Sequence, residues 1–219
     1  MKIKVMVTGA TGMVGEGVML TCLGHPDVDQ VLVINRKPNG ITHPKLKEII
    51  HGDFFNLGPI ETHLKGYNAC FFCLGVSSVC MSKADYKRTT FDLTLNVART
   101  LAKNNSDMTF TYVTGSGTDS TERGPIAWAR VKGATENELM KIFKNAYMFR
   151  PAIMKAVAGQ KNLKGLYKAL EWIYPIGRYL YPSGFCTLNE VGTAMIKCAT
   201  QGYSKHILEV KDIVELAKS

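Results

Sequence analysis

Thr8-Gly9-Ala10-Thr11-Gly12-Met13-Val14-Gly15 decides how this chain folds. The stretch ends an apolar, β-branched run, residues 2–8, and opens a segment, 13–23, that carries helical periodicity. Its glycines have GxxGxxG spacing, and each has a task. Gly9 permits a tight turn, Gly12 lets the backbone approach a pyrophosphate, and Gly15 allows close helix–strand packing. The helix N-terminus adds free N–H groups and a positive dipole end. Strand, loop and helix together predict a βα unit in which Gly9, Thr11, Gly12, Met13, Val14 and Gly15 cradle a dinucleotide. The bland alternative is a glycine-rich turn that binds nothing. No Lys-Ser or Lys-Thr follows, so the loop is not a P-loop for ATP.

Outward from that unit the pattern repeats. Strands are predicted at 30–35, 46–51, 69–74, 108–114 and 146–149, nearly all apolar. Helices are predicted at 83–103, where Leu93, Val97 and Leu101 share a stripe, and at 128–144. Such alternation predicts a doubly wound, Rossmann-like parallel sheet over residues 1–150, the nucleotide-binding domain. Past Pro151 the texture changes. Residues 152–187 hold no convincing strand, 188–200 reads as a helix, 206–210 as a last strand and 211–218 as a closing helix. Residues 151–219 are expected to form a small, mostly helical lobe on the same sheet, on the substrate or partner side.

Composition narrows the function classes. The 219 residues are long enough to bury a core without disulfides or metal, and 46% hydrophobic with 21% charged is ordinary for a globular chain. No run of about 18 apolar residues predicts a membrane span, and no cleavable leader is legible, so the cytoplasm is the expected compartment. Six cysteines are then reduced thiols. Cys70 and Cys73 form a CxxC, but on a strand residues three apart face opposite sides, so core packing is favoured over redox or zinc chemistry. The five histidines show no metal spacing. The net charge of +9 is spread along the chain, so nucleic acid is a weak expectation and a phosphate-bearing small molecule accounts for the charge equally well.

The end of the second strand refines the cofactor. An acid there would bind ribose hydroxyls, but the sequence is Asn35-Arg36-Lys37. A guanidinium at Arg36 suits a 2′-phosphate, which favours NADP over NAD. A solvated basic turn is the alternative.

These residues resemble the short-chain dehydrogenase/reductase superfamily in its extended and atypical branches. The branch most resembled includes the Tat-interacting-protein-like oxidoreductases and the NAD-dependent epimerase/dehydratase-like proteins. The glycine motif carries the likeness, supported by Gly52-Asp53, by Cys73-Leu74-Gly75, by Trp128-Ala-Arg-Val-Lys132-Gly in the place of the YxxxK helix, and by Arg150-Pro151. It covers residues 1–155 well and the remainder poorly. By resemblance, Asp53 contacts the adenine, Leu74 and Gly75 pass under the adenine ribose, and Lys132 binds the nicotinamide ribose. One departure matters most. The family's catalytic Tyr falls on Trp128, whose indole N–H donates a hydrogen bond but does not serve as a general acid or base. Ser116 and Thr114 are the candidate hydroxyls for polarising a substrate oxygen, with Ser116 slightly preferred. A turn serine between two glycines is the alternative.

Residues 161–185 read as a basic amphipathic helix ending at Pro175. Packing of the lobe is the first expectation, a substrate lid the second, and an interfacial membrane helix or partner groove the third. Tyr167, Tyr174, Tyr179 or Tyr181 could supply the missing phenol. Two functions follow: an NADP-dependent oxidoreductase acting on a small carbonyl, with pairing into a homo-oligomer open, or a catalytically silent sensor that binds NADP(H).

Overall fold

The computed structural model describes residues 2–163 and 173–219. Nine strands lie among them: β1 Ile3–Thr8, β2 Val28–Asn35, β3 Leu46–Ile50, β4 Ala69–Phe72, β5 Thr109–Val113, β6 Asn145–Arg150, β7 Ile153–Lys155, β8 Phe185–Thr187 and β9 Ile207–Glu209. Seven of them form one sheet in the order β3-β2-β1-β4-β5-β6-β9. Every pairing is parallel, as the near-continuous apolar runs require when both faces are covered. The order reverses between β1 and β4, which opens a crevice at the carboxyl ends of those strands.

Period-two alternation sends each strand's side chains to two cores. Val5, Val7, Val31, Val33, Phe71 and Phe149 pack on one face. Helix α1 (Met13–Gly24) covers that face together with α6 (Leu188–Gln201) and α7 (Val210–Lys218). Met6, Leu32, Ile34, Phe72, Phe110 and Tyr112 pack on the other, under α3 (Leu93–Asn104) and α4 (Ala127–Ile142). Each fully buried side chain of this size contributes about 1.5–3 kcal/mol. The helix predicted at 83–103 has three parts: α2 (Lys83–Lys87), a π turn at Arg88–Asp92, and α3. Cys70 lies in the second core, whereas Cys73 packs on the first, so the CxxC sulfurs diverge. Burial pushes the Cys73 thiol up to about 12, which leaves it protonated and unreactive at neutral pH.

Two expectations need correction. Residues 152–187 do hold strands: β7 and β8 pair in parallel as a separate ribbon. Three-residue strands carry too little periodicity to be read from sequence. Among the described residues of the 161–185 segment, the helix is α5 (Tyr174–Leu180), and Pro175 sits in its first turn. Proline is tolerated there because its missing N–H has no helical partner anyway. The segment's remaining predicted helix, with Tyr167, lies outside the described residues.

Candidate dinucleotide cleft

The loop between β1 and α1 is built around contacts that no side chain would survive. Gly9 has φ +71°, and a Cβ there would stand 2.9 Å from the Cys73 carbonyl and the Leu74 backbone. A Cβ on Gly15 would meet the Gly9 carbonyl oxygen at 2.2 Å. The Gly12 N–H donates to that same Gly9 oxygen at 2.9 Å and closes the turn. Gly12 caps α1, and among the described residues no side chain takes up the N–H groups of its first turn. The β4 end is drawn in as the Leu74 N–H donates to the Thr8 hydroxyl at 3.3 Å.

A cleft of about 230 Å³ opens beside this loop. Gly9, Thr11 and Gly12 form one wall, Cys73, Leu74 and Gly75 another, and Ile34, Asn35, Arg36 and Phe54 the far end. Asn35 is buried, its amide N–H donates to Glu48 at 2.7 Å, and its Oδ1 has no partner among the described residues. A buried acceptor without a donor costs about 1–3 kcal/mol, which a ribose hydroxyl in the cleft would recover. The side-chain-free cradle, the uncapped helix end and this orphaned oxygen fit a dinucleotide. Of the predicted contacts, Met13 and Val14 begin α1 rather than line the cleft; the Met13 carbonyl accepts from Gln160 at 2.7 Å. Asp53 is exposed, its Oδ1 accepts the Phe55 N–H at 2.9 Å, and its neighbour Phe54 lines the cleft.

The chemistry end is carried by β5 and α4. Trp128 and Lys132 are four residues apart on α4 and share a face. The indole approaches Gly117, where a Cβ would lie 3.7 Å from its Cη2. Lys132 reaches across to donate to the Thr114 carbonyl. Burial lowers its pKa to about 8, although the nearby Glu136 carboxylate pulls it back up. Lys132 can therefore hold or release a proton near neutral pH.

Thr114 and Ser116, both candidates, are separated by their surroundings. Thr114 is buried and its hydroxyl is turned inward, within 2.6 Å of Glu136 and 3.2 Å of the Phe149 carbonyl. Its hydroxyl is engaged in the core. Ser116 is exposed on the loop, anchored by its own N–H to the Pro151 carbonyl at 2.9 Å. The phenol candidates separate likewise. The Tyr174 hydroxyl accepts from Arg178 at 3.0 Å, while Tyr179 and Tyr181 are largely exposed.

Two features were missed in the sequence. Glu136 is fully buried and pairs with Arg150, with Nε donating to Oε1 at 3.1 Å and a second bond to Oε2. Its signal was the stripe Trp128, Lys132, Glu136 at four-residue spacing. Glu16, also buried, accepts the N–H groups of Lys161 at 2.9 Å and Asn162 at 2.8 Å, clamping the segment after β7 to the phosphate loop. A carboxylate just after the glycine loop was the only local hint.

A parallel sheet with this crossover order and this glycine cradle defines a Rossmann-type nucleotide-binding protein of the short-chain dehydrogenase/reductase kind. Residues 5–123 match the NAD dependent epimerase/dehydratase family, and the chain belongs to it. It is 24% identical over 226 residues to "Protein FMP52, mitochondrial" of Chaetomium globosum, covering 98% of this chain and 97% of that one. It is 28% identical over 142 residues to "Leucinostatins biosynthesis cluster protein T" of Purpureocillium lilacinum, which covers 63% of this chain. The match spans 51%, about half, of that relative's length. Among solved structures, Helicobacter pylori ADP-L-glycero-D-manno-heptose-6-epimerase superposes with TM-score 0.66 at 14% identity, covering 99% of this chain and 81% of that one. The Bordetella bronchiseptica enzyme WbmF, in complex with NAD+, gives 0.67 at 17%, covering 99% and 77%. At such identities the likeness is one of fold. Among the described residues no helix is long and apolar enough to cross a membrane.

Proposed function

We propose that this chain is an NADP(H)-dependent oxidoreductase acting on a small carbonyl compound, with the cytoplasm as its compartment. The observation that carries NADP is the far end of the cleft, where Arg36 is present and no carboxylate is among the lining residues. Gly9, Gly12 and the first turn of α1 would hold the pyrophosphate, Asn35 a ribose hydroxyl, and Arg36 the 2′-phosphate. When bound, the cofactor supplies the hydride. Lys132 orients the nicotinamide ribose and, with its pKa near 8, relays a proton. Ser116 donates a hydrogen bond to the substrate oxygen. The Trp128 indole, next to Gly117, would border the substrate.

Titration of tryptophan fluorescence with NADPH and NADH, separately, tests the cofactor. NADPH is expected to bind more tightly, and Arg36→Ala to lower its affinity about 10- to 100-fold while leaving NADH within about twofold, since a charge-assisted bond is worth about 1.5–3 kcal/mol. Equal losses for both would assign Arg36 to the general field of the cleft and remove the preference.

Trp128 favours a second function, a sensor that binds NADP(H) without turnover. Trp128→Tyr discriminates between them. Reduction of generic carbonyls gained only in the variant marks a silenced site. Turnover already present in the wild type and unchanged in the variant marks chemistry that runs through Lys132.

A further inference from the structure

We propose that the sheet carries a second ligand site, a groove at the amino ends of its first three strands that binds a small molecule bearing clustered phosphoryl groups. The groove encloses about 700 Å³, a volume within the range of small-molecule sites and larger than the dinucleotide cleft.

Strand register builds it. Lys4 pairs with Gln30 across β1 and β2, and Leu32 pairs with Lys47 across β2 and β3. Leu32 and Met6 belong to the second core, so Lys47 in register with Leu32, and Lys4 two residues before Met6, point to that same face. The facing wall is the end of the 3-10 helix Gly58–Leu64 and the loop behind it, which contribute His63, Lys65 and Tyr67. Asn105 pins this loop, its Oδ1 accepting the Gly66 N–H at 2.9 Å and the Tyr67 N–H at 3.3 Å. The Tyr67 hydroxyl accepts from the Gln30 amide at 2.6 Å and keeps its own proton to donate.

Charge selects the ligand. Lys4, Lys47 and Lys65 are exposed, and among the described residues no carboxylate lies within ion-pair distance of any of them. Glu48 borders the groove but alternates to the other face. It is in register with Val33 of the first core, and its Oε1 accepts from the Asn35 amide at 2.7 Å and the Asn39 N–H at 3.0 Å. Asp29, next to Gln30 in β2, alternates away in the same manner. Lys4 and Lys47 stand about 12 Å apart at their Cα atoms by strand spacing and register, so one compact anion can lie between their ammonium groups. Unopposed ammonium groups repel one another. A phosphoryl group answers them with nearly two negative charges and three acceptor oxygens, where a carboxylate brings one charge. Thr8, at the dinucleotide loop, is about 13 Å further along β1 than Lys4, so the two sites are separate.

Calorimetric titration of the full chain with inorganic tripolyphosphate, at 0.15 M salt, tests the proposal. One site per chain is expected, weakening as salt rises. Lys47→Gln with Lys65→Gln is expected to lower its affinity at least about tenfold, since each lysine gives a charge-assisted bond. Arg36→Ala should leave it within about twofold, which keeps this test distinct from that of the cofactor. Citrate, whose charges are carboxylates, is expected to bind at least about tenfold more weakly. The thermal midpoint of the lysine pair should not fall, because neither side chain has a partner to lose, and this shows the variant folded. Four results would overturn the proposal: no binding, binding that the lysine pair leaves intact, binding lost in Arg36→Ala instead, or citrate binding as tightly as tripolyphosphate.

Discussion

Replacing Glu136 with alanine is expected to destabilise the fold by about 3–5 kcal/mol, the usual cost of breaking a buried ion pair by removing one partner. The carboxylate is 0% exposed and the Arg150 side chain 10%, so the guanidinium cannot turn to bulk water when its partner is lost. Glu209 would remain, at 3.3 Å, but half exposed and on one nitrogen only. The Thr114 hydroxyl would keep only the longer contact to the Phe149 carbonyl. Urea unfolding measures the loss. Adding Arg150→Met should recover much of it, since replacing both members of a buried pair with apolar groups is often near neutral. A single variant that loses less than about 1 kcal/mol would show that water reaches Arg150 and that the pair is structurally minor.

The second large effect is expected at Gly15. In Gly15→Ala the new methyl would stand 2.2 Å from the Gly9 oxygen and 2.5 Å from the Gly9 carbonyl carbon. Both obstacles are backbone, so no rotamer change relieves them, and either α1 or the phosphate loop must move. Overpacking of this kind costs about 1–3 kcal/mol. The loop that moves is the loop that binds, so NADPH affinity should fall at least about tenfold along with stability. Gly24→Ala is the control. It closes the same helix, a Cβ there meets nothing within 4 Å, and no effect beyond about 0.5 kcal/mol is expected. Fluorescence titration and thermal unfolding of both variants read the difference. Unchanged NADPH binding in Gly15→Ala would mean that the cradle is not the pyrophosphate site.

Much of the fold was legible because it rests on local patterns. The β1 run, the glycine triplet and the helix behind it are consecutive, and each residue's task follows from backbone geometry. The strands are nearly all apolar because both faces of the sheet are covered, so their positions could be read within a residue or two. Trp128 and Lys132 were placed together by helical spacing alone. The ribbon of β7 and β8 was not legible. Its strands lie 30 residues apart and each has three residues, so the pairing depends on the intervening chain rather than on period.

The sequence by itself determined the βα cradle, the parallel sheet, the basic end of the cleft at Arg36 and the shared helix face of Trp128 and Lys132. Tertiary structure alone decided which hydroxyl is available. Thr114 and Ser116 are two residues apart and chemically alike, but only the packing of α4 against β5 places Glu136 under Thr114 and leaves Ser116 outside. It also decided that Glu16 ties the segment after β7 to the phosphate loop, across 145 residues of chain. The apolar residues of α5 make the same point in reverse. Their composition suggested packing of the lobe, yet the Arg178–Glu190 pair holds α5 by its polar side and leaves Tyr179 and Leu180 in water. Hydrophobic pattern tells which side chains can be buried. Which of them are buried depends on what the rest of the chain brings against them.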